Sequence, residues 1–389
     1  MKIVGALVYT KDHTFKEENL YFEGERITDK DTYEKSGDRL GATLDGKGMY
    51  AVPGLIDIHL HGADGSDFCD ASLDSLQAIG RYEAAHGVLT MCPATMSLNK
   101  SSLIDIIDSA KEYRANKKEL EHEDLLKLSD LVGINLEGPY VNPDKCGAQN
   151  TKYIRNVDSS EFWSLFRHSN GLIKLVDIAP ELNGALDFIK DYSKDVNISI
   201  AHTDCDYDIA KRAFAEGANH VTHLFNAMNG IDKRSPGPIL AAKESGAYVE
   251  LIADGVHIHP AVVRMVFDFF EPSKIVLISD SMEATGLSDG EYSLGGQKVL
   301  KKGYKAVLKD DGKTIAGSVS NLYNCLVNAV KEMGIPLEKA VRAATENPAA
   351  SIGIDNEYGK LLPGYYGNVL LLDKDLNIQG VIHKGSIIA

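Results

Sequence analysis

From Val52 onward the chain alternates short β-rich runs with longer segments of helical period, and this alternation restricts the fold more than any other feature. Eight such runs follow one another: Leu55 to His61, Val88 to Pro93, Leu131 to Glu137, Leu172 to Ala179, Asn197 to His202, Asn219 to His223, Ala247 to Ala253 and Ile275 to Asp280. Helix-like stretches separate them, among them Ser72 to His86, Ser101 to Lys127, Ser159 to His168, Gly184 to Lys194, Asp206 to Glu216, Gly237 to Ser245 and Pro260 to Phe270. Eight strands with intervening helices predict an α/β protein built on a TIM-type (β/α)8 barrel over residues 54–362. The two ends read differently. Residues 1–53 are short strands broken by turns, as in LYFEGERI, where Leu20 to Phe22 and Glu25 to Ile27 meet at Glu23-Gly24. Asn368 to Asp373 and Gly380 to His383 are strand-like again. Because the ends of a domain often lie close together, residues 1–53 and 363–389 are expected to form one small flanking β-sandwich domain.

Charge narrows the choice of partner. With 41 basic against 56 acidic side chains the net charge is −15, which repels phosphate backbones and anionic lipid and argues against nucleic acid or a membrane surface as a general partner. An anionic ligand would need local positive charge. The five cysteines are scattered without a C-x-x-C spacing, so neither a disulfide framework nor a thiolate zinc site is expected, and the compartment is expected to be reducing. The start MKIVGALVYTKDHTF alternates like a strand and reads as no signal peptide, and no run approaches a membrane span. The expected location is cytoplasmic. The charged run Lys111 to Lys127 reads as a solvated helix face, and Trp163 with Phe267, Phe269 and Phe270 as core.

Chemistry gathers at the strand ends. In LIDIHLHG the period of a strand puts Asp57, His59 and His61 on one face, and two imidazoles at the C-terminal end of a barrel strand make a plausible chelate for a divalent ion. Glu137 closes VGINLEGP, His202 closes NISIAHT, His223 closes HVTHLF and Asp280 closes IVLISDS. Buried acids and imidazoles are costly unless paired or bound to metal. Any one of them alone reads as a satisfied core residue. The same ending on strand after strand does not.

The motifs PGLIDIHLHG, NLEGPYVNPDKCGAQN, AHT, THLFNAMNG, ADGVHIHP, ISDSMEATG and IAGSVSNL resemble the amidohydrolase superfamily, and within it the branch of N-acetylglucosamine-6-phosphate deacetylases, over nearly the whole chain. The resemblance implies that Glu137, His202 and His223 hold a principal metal. It implies that His59 and His61 complete a second site in some members, with Glu137 as the bridge, so one or two ions per subunit are expected. Zinc is the expected ion, and iron(II), cobalt and manganese also suit such donors. Asp280 would be the general base and acid. Asn226, Ala227 and Arg234 match positions that meet the sugar phosphate, His257 resembles a sugar-binding histidine, Ile315, Ala316 and Gly317 resemble a loop closing over the substrate, and Ala148 and Gln149 are expected to bind substrate with them, Gln149 standing where other members carry histidine. An arginine fork suits a phosphate, and in the family that arginine can come from across a dimer interface, which implies a homodimer.

The expected reaction removes acetate from N-acetylglucosamine 6-phosphate. Its rivals are the same reaction on the galactosamine epimer, a catalytically inactive barrel kept as a binding protein, and a cyclic-amide hydrolase. The last would want a bridging lysine at the end of the third or fourth run, and none is present there. His220 and His259 have no expected role beyond structure.

Overall fold

The computed structural model describes residues 1–37, 41–116, 124 and 126–389. Five strands open the chain: β1 (Lys2–Tyr9), β2 (Phe15–Glu23), β3 (Arg26–Thr28), β4 (Thr43–Asp45) and β5 (Tyr50–Pro53). A central series follows as β6 (Leu55–Asp57), the two-residue hairpin β7 (Gly62–Ala63) and β8 (Ser66–Asp67), β9 (Val88–Met91), β10 (Asp130–Leu131), β11 (Ile134–Leu136), β12 (Ile173–Ile178), β13 (Asn197–Ile200), β14 (His220–Val221), β15 (Tyr248–Ile252) and β16 (Ile275–Ile278). A meander of β17 (Gly290–Leu294), β18 (Gln297–Lys302) and β19 (Lys305–Leu308) precedes the closing strands β20 (Val369–Leu372), β21 (Ile378–His383) and β22 (Ser386–Ile387).

The central strands form two parallel arcs, β10-β9-β6 and β11-β12-β13-β14-β15-β16. Their sequences, such as VLTM and IVLI, are buried at every position because helices cover the outer face and side chains fill the inner one. Two seams bring the arcs together. Ala94 pairs with Asn135 in a lone parallel bridge, and the Asp280 N–H donates to the His59 carbonyl at 2.9 Å. The third β-rich run is split at Val132-Gly133: the Val132 N–H bonds to Met91 O and the Ile134 N–H to Leu172 O, so one run serves both arcs.

The ends do pair, but as one continuous eight-stranded sheet of order β22-β21-β20-β5-β1-β2-β3, with β4 also on β1, rather than as two stacked sheets. The reason lies in β5, which takes β1 on one edge and β20 on the other and so joins the two chain ends laterally. Ile3, Val8, Phe22, Val369 and Ile382 form its buried face. Strands are shorter than their β-rich runs. The first run stops being a strand at Asp57, because beyond it the backbone bonds to other elements: Ala94 N–H to Leu60 O, and His61 N–H to Ser281 O.

Helices keep to their expected places, for example Leu73–Ala85 and Tyr207–Glu216, each with an N-cap oxygen from Ser72 or Asp206. The helix Lys100–Asn116 begins where expected, and the remainder of the stretch to Lys127 lies largely outside the described residues. Trp163 departs from its expected place in the core. It stands 41% exposed on the outer face of its helix, stacked on Phe166, while Phe267 and Phe270 are buried and Phe269 is partly so. No helix among the described residues is long and apolar enough to cross a membrane.

Candidate active site

The chemistry-bearing side chains sit just beyond the strands rather than within them. His59, His202, His223 and Asp280 each follow the last strand residue by two positions, after Asp57, Ile200, Val221 and Ile278, and Glu137 follows Leu136 directly. Three of these residues turn the chain with a left-handed backbone: His202 has φ 43°, His223 φ 29° and Asp280 φ 50°. Such conformations cost about 1–3 kcal/mol each outside glycine and persist only where surrounding structure imposes them. The strain aims three side chains across one rim.

There they meet. Glu137 Oε1 lies 2.9 Å from His202 Nε2 and 3.3 Å from His223 Nε2, and the two imidazole nitrogens are 3.1 Å apart. His61 Nε2 lies 3.4 Å from Glu137 Oε2 and 3.2 Å from Asp280 Oδ1, while His59 Nε2 is 3.7 Å from both Glu137 Oε1 and Asp280 Oδ1. Two compact groups result: Glu137, His202 and His223 in one, His59, His61 and Asp280 in the other. His59 and His61 thus converge, though through irregular backbone rather than the strand face expected of them, with ring centroids 5.4 Å apart.

The far side of three of the four rings fixes its tautomer. His202 Nδ1 donates to Lys145 O at 2.9 Å, His61 Nδ1 faces Ala94 O at 3.2 Å, and His59 Nδ1 faces Glu250 Oε2 at 2.9 Å. With the proton held on Nδ1, each Nε2 turns a lone pair toward the centre. Burial alone would push Glu137 up, but its contacts with the His202, His223 and His59 rings hold it well below the ordinary range. Asp280 is likewise held down against its burial, by His61 first, so it is an ionised carboxylate at neutral pH. Burial lowers His223.

This arrangement fits a divalent cation. Glu137 Oε2 and His59 Nε2 are buried without a hydrogen-bond partner, and the His202 Nε2 lone pair faces the Glu137 Oε1 acceptor at 2.9 Å, two acceptors that repel unless something positive lies between them. The donors are nitrogen and carboxylate oxygen, the set suited to zinc and its neighbours.

A cavity of about 260 Å³ opens above the two groups. Ala148, Gln149, Asn226, Ala227, His257, Ile315 and Gly317 all line it. Gln149 is oriented by the Ser97 N–H, which donates to its Oε1 at 2.6 Å, and His257 by Asp254, whose Oδ2 takes its Nδ1 at 2.8 Å. Burial alone would lower the His257 pKa, but the bond and charge of Asp254 raise it. Two expected contacts fall elsewhere. Ala316 is buried under the meander with Met96, Met282 and Leu294, because its backbone pairs with Ala306. Arg234 is exposed on a loop outside the cavity lining, its backbone N–H bonded to Asp232.

Sequence reasoning passed over Glu250 and Asp254. Their signal is an acid set in apolar surroundings, as in YVELIAD, where neither chain position nor spacing says what it would face.

Comparison with known proteins follows the same lines. Residues 50–388 match the family model described as the amidohydrolase family. The chain is similar to the N-acetylglucosamine-6-phosphate deacetylase of Bacillus subtilis, at 34% identity over 86% of this chain and 84% of that protein. It is also similar to the N-acetylgalactosamine-6-phosphate deacetylase of Escherichia coli O157:H7, at 31% identity over 86% of each. Among solved structures, a mutant N-acetyl-D-glucosamine-6-phosphate deacetylase from Mycobacterium smegmatis in complex with N-acetyl-D-glucosamine-6-phosphate superposes with a TM-score of 0.90 at 31% identity, covering 100% of this chain and 99% of that one.

Proposed function

Because the chain belongs to the amidohydrolase family, we propose that it hydrolyses N-acetylglucosamine 6-phosphate to glucosamine 6-phosphate and acetate. The observation that carries this reading is the convergence of two donor groups, one of them containing Asp280, at the floor of a single cavity whose walls include Asn226, Ala227 and His257. Relatives named for this reaction at 34% identity support the substrate.

Glu137, His202 and His223 would hold one divalent ion, and His59 with His61 a second, zinc being the ion their donor types suit. Such an ion would polarise the amide carbonyl and lower the pKa of a bound water toward about 7. The protein's own steps are proton transfers and positioning. Asp280, ionised beside His61, accepts a proton as water oxygen bonds to the acetyl carbon. The same carboxyl then gives that proton to the amine nitrogen as the C–N bond breaks. His257, fixed by Asp254, and the Asn226-Ala227 turn would receive the sugar phosphate.

The two parallel arcs are read as one eight-stranded barrel over residues 54–362, with residues 1–53 and 363–389 as the flanking domain; the seam bond from Asp280 N–H to His59 O supports closure. Arg234, outside its own cavity lining, suits a homodimer in which it serves the neighbouring site. Five free cysteines suit a reducing cytoplasm.

The galacto epimer remains the second reading, favoured by the Escherichia coli relative. Acetate release by the zinc-loaded protein, measured on both phosphorylated amides, tests both. A higher kcat/KM for the gluco form is expected. No acetate from either would overturn the proposal.

A further inference from the structure

Behind the His59 ring lies a carboxylate that no step above uses. Glu250 stands in the middle of β15, is 0% exposed, and has no lysine or arginine among its described contacts. Its Oε2 lies 2.9 Å from His59 Nδ1 and accepts the His223 backbone N–H at 3.2 Å, while its Oε1 lies 3.4 Å from His220 Nε2. A buried carboxylate is tolerated only where proton donors surround it. Here two donors reach Oε2, from the segments that follow β6 and β14, while Oε1 has no hydrogen-bond partner among the described residues.

This geometry settles the state of the His59 ring. Two groups compete for Nδ1: the carboxylate at 2.9 Å and the Asn135 side-chain nitrogen at 3.4 Å. The nearer group is charged and can only accept, so Nδ1 carries the proton and Nε2 is left bare, buried and without a hydrogen-bond partner. The other rings with a far-side contact, His61 and His202, are backed by neutral backbone carbonyls. His59 alone among the donors is backed by a carboxylate.

We infer that Glu250 is the positioning residue for His59, fixing its tautomer and strengthening its Nε2 as a donor to the divalent ion. This rests on the reading of His59 as a metal donor. A carboxylate behind a metal-bound imidazole is worth about 10–100-fold in metal affinity, and the effect passes through one ring only.

The test is a double-mutant cycle on zinc affinity, measured by competition with a chelator and needing no substrate. His59→Gln is expected to weaken zinc binding, Glu250→Gln to weaken it by about 10–100-fold, and the double variant to lose no more than His59→Gln alone. If Glu250→Gln leaves affinity unchanged, or its loss adds fully to that of His59→Gln, the inference is wrong while the metal reading stands. If His59→Gln itself changes nothing, His59 is no donor and both fall. Nitrogen-15 NMR of histidine-labelled, zinc-loaded wild-type protein reads the tautomer directly even if Glu250→Gln does not fold. A resonance pair lost in His59→Gln must show its proton on Nδ1; a proton on Nε2 overturns the inference.

Discussion

Single residues decide the chemistry here because so many charges are kept from water. Asp280 has its ionised state secured by His61, and Asp280→Asn removes the proposed proton carrier while leaving Glu137, His202 and His223 in place. Acetate release is expected to fall about 10²–10⁴-fold, with the zinc that Glu137, His202 and His223 would hold still found by atomic emission; an active variant would remove Asp280 from its role. Glu83 shows the same physics without the function. Both of its oxygens are buried and unpartnered, and burial, aided by the charge of Asp57, raises it well above its usual value of 4.5. A carboxyl raised on folding adds stability below its unfolded pKa and loses it as pH climbs toward the folded value. Glu83→Gln is therefore expected to gain on wild type in the free energy of denaturant unfolding as pH rises above the ordinary carboxyl range, by at most about 1.4 kcal/mol per pH unit; a gap independent of pH would show that Glu83 is ionised in the fold.

At the scale of elements, tight joints matter more than strand length. Gly87 links the helix Leu73–Ala85 to β9 with φ +79°, and a Cβ there would stand 2.7 Å from Leu370 Cδ1 on β20. Gly87→Ala meets both a left-handed backbone and a filled space, so a loss of about 1–3 kcal/mol is expected in denaturant unfolding; a neutral result would mean β20 yields easily. Much of the element order was legible, since apolar runs bounded by turns mark β9, β12 and β16 plainly. The strand ends were not. His59 and His61 were placed by the period of a strand that stops at Asp57, and hydrogen bonds to Leu60 and His61 from distant segments, which no local pattern encodes, decide that stop. Ala316 shows the same limit, since its burial depends on a partner in the meander.

Over the whole molecule, the identity of the donors could be read from sequence, and their mutual distances could not, because five separate loops supply them. Glu250 stayed hidden for that reason: its partners His59 and His220 lie 191 and 30 positions away along the chain. Arg234 belongs to a larger scale still. If it serves a neighbouring subunit, equal mixing of Arg234→Ala and Asp280→Asn chains should restore about a quarter of wild-type turnover, since half the dimers then hold one complete site. Mixtures as inactive as their parents would place Arg234 in its own subunit, and an Arg234→Ala parent as active as wild type would place it outside the reaction.

The lateral joining of β5 to β20 also sets a timetable for the newborn polypeptide. Tyr50–Pro53 leaves the ribosome early, yet the edge that Val369–Leu372 will cover must wait some 300 residues, roughly 15 to 65 s of translation. Through that interval an apolar strand edge stands bare, open to whatever else offers a ladder of amides. A permuted gene that supplies the closing strands first would shorten the exposure, and its yield of soluble protein would measure how dangerous the wait is.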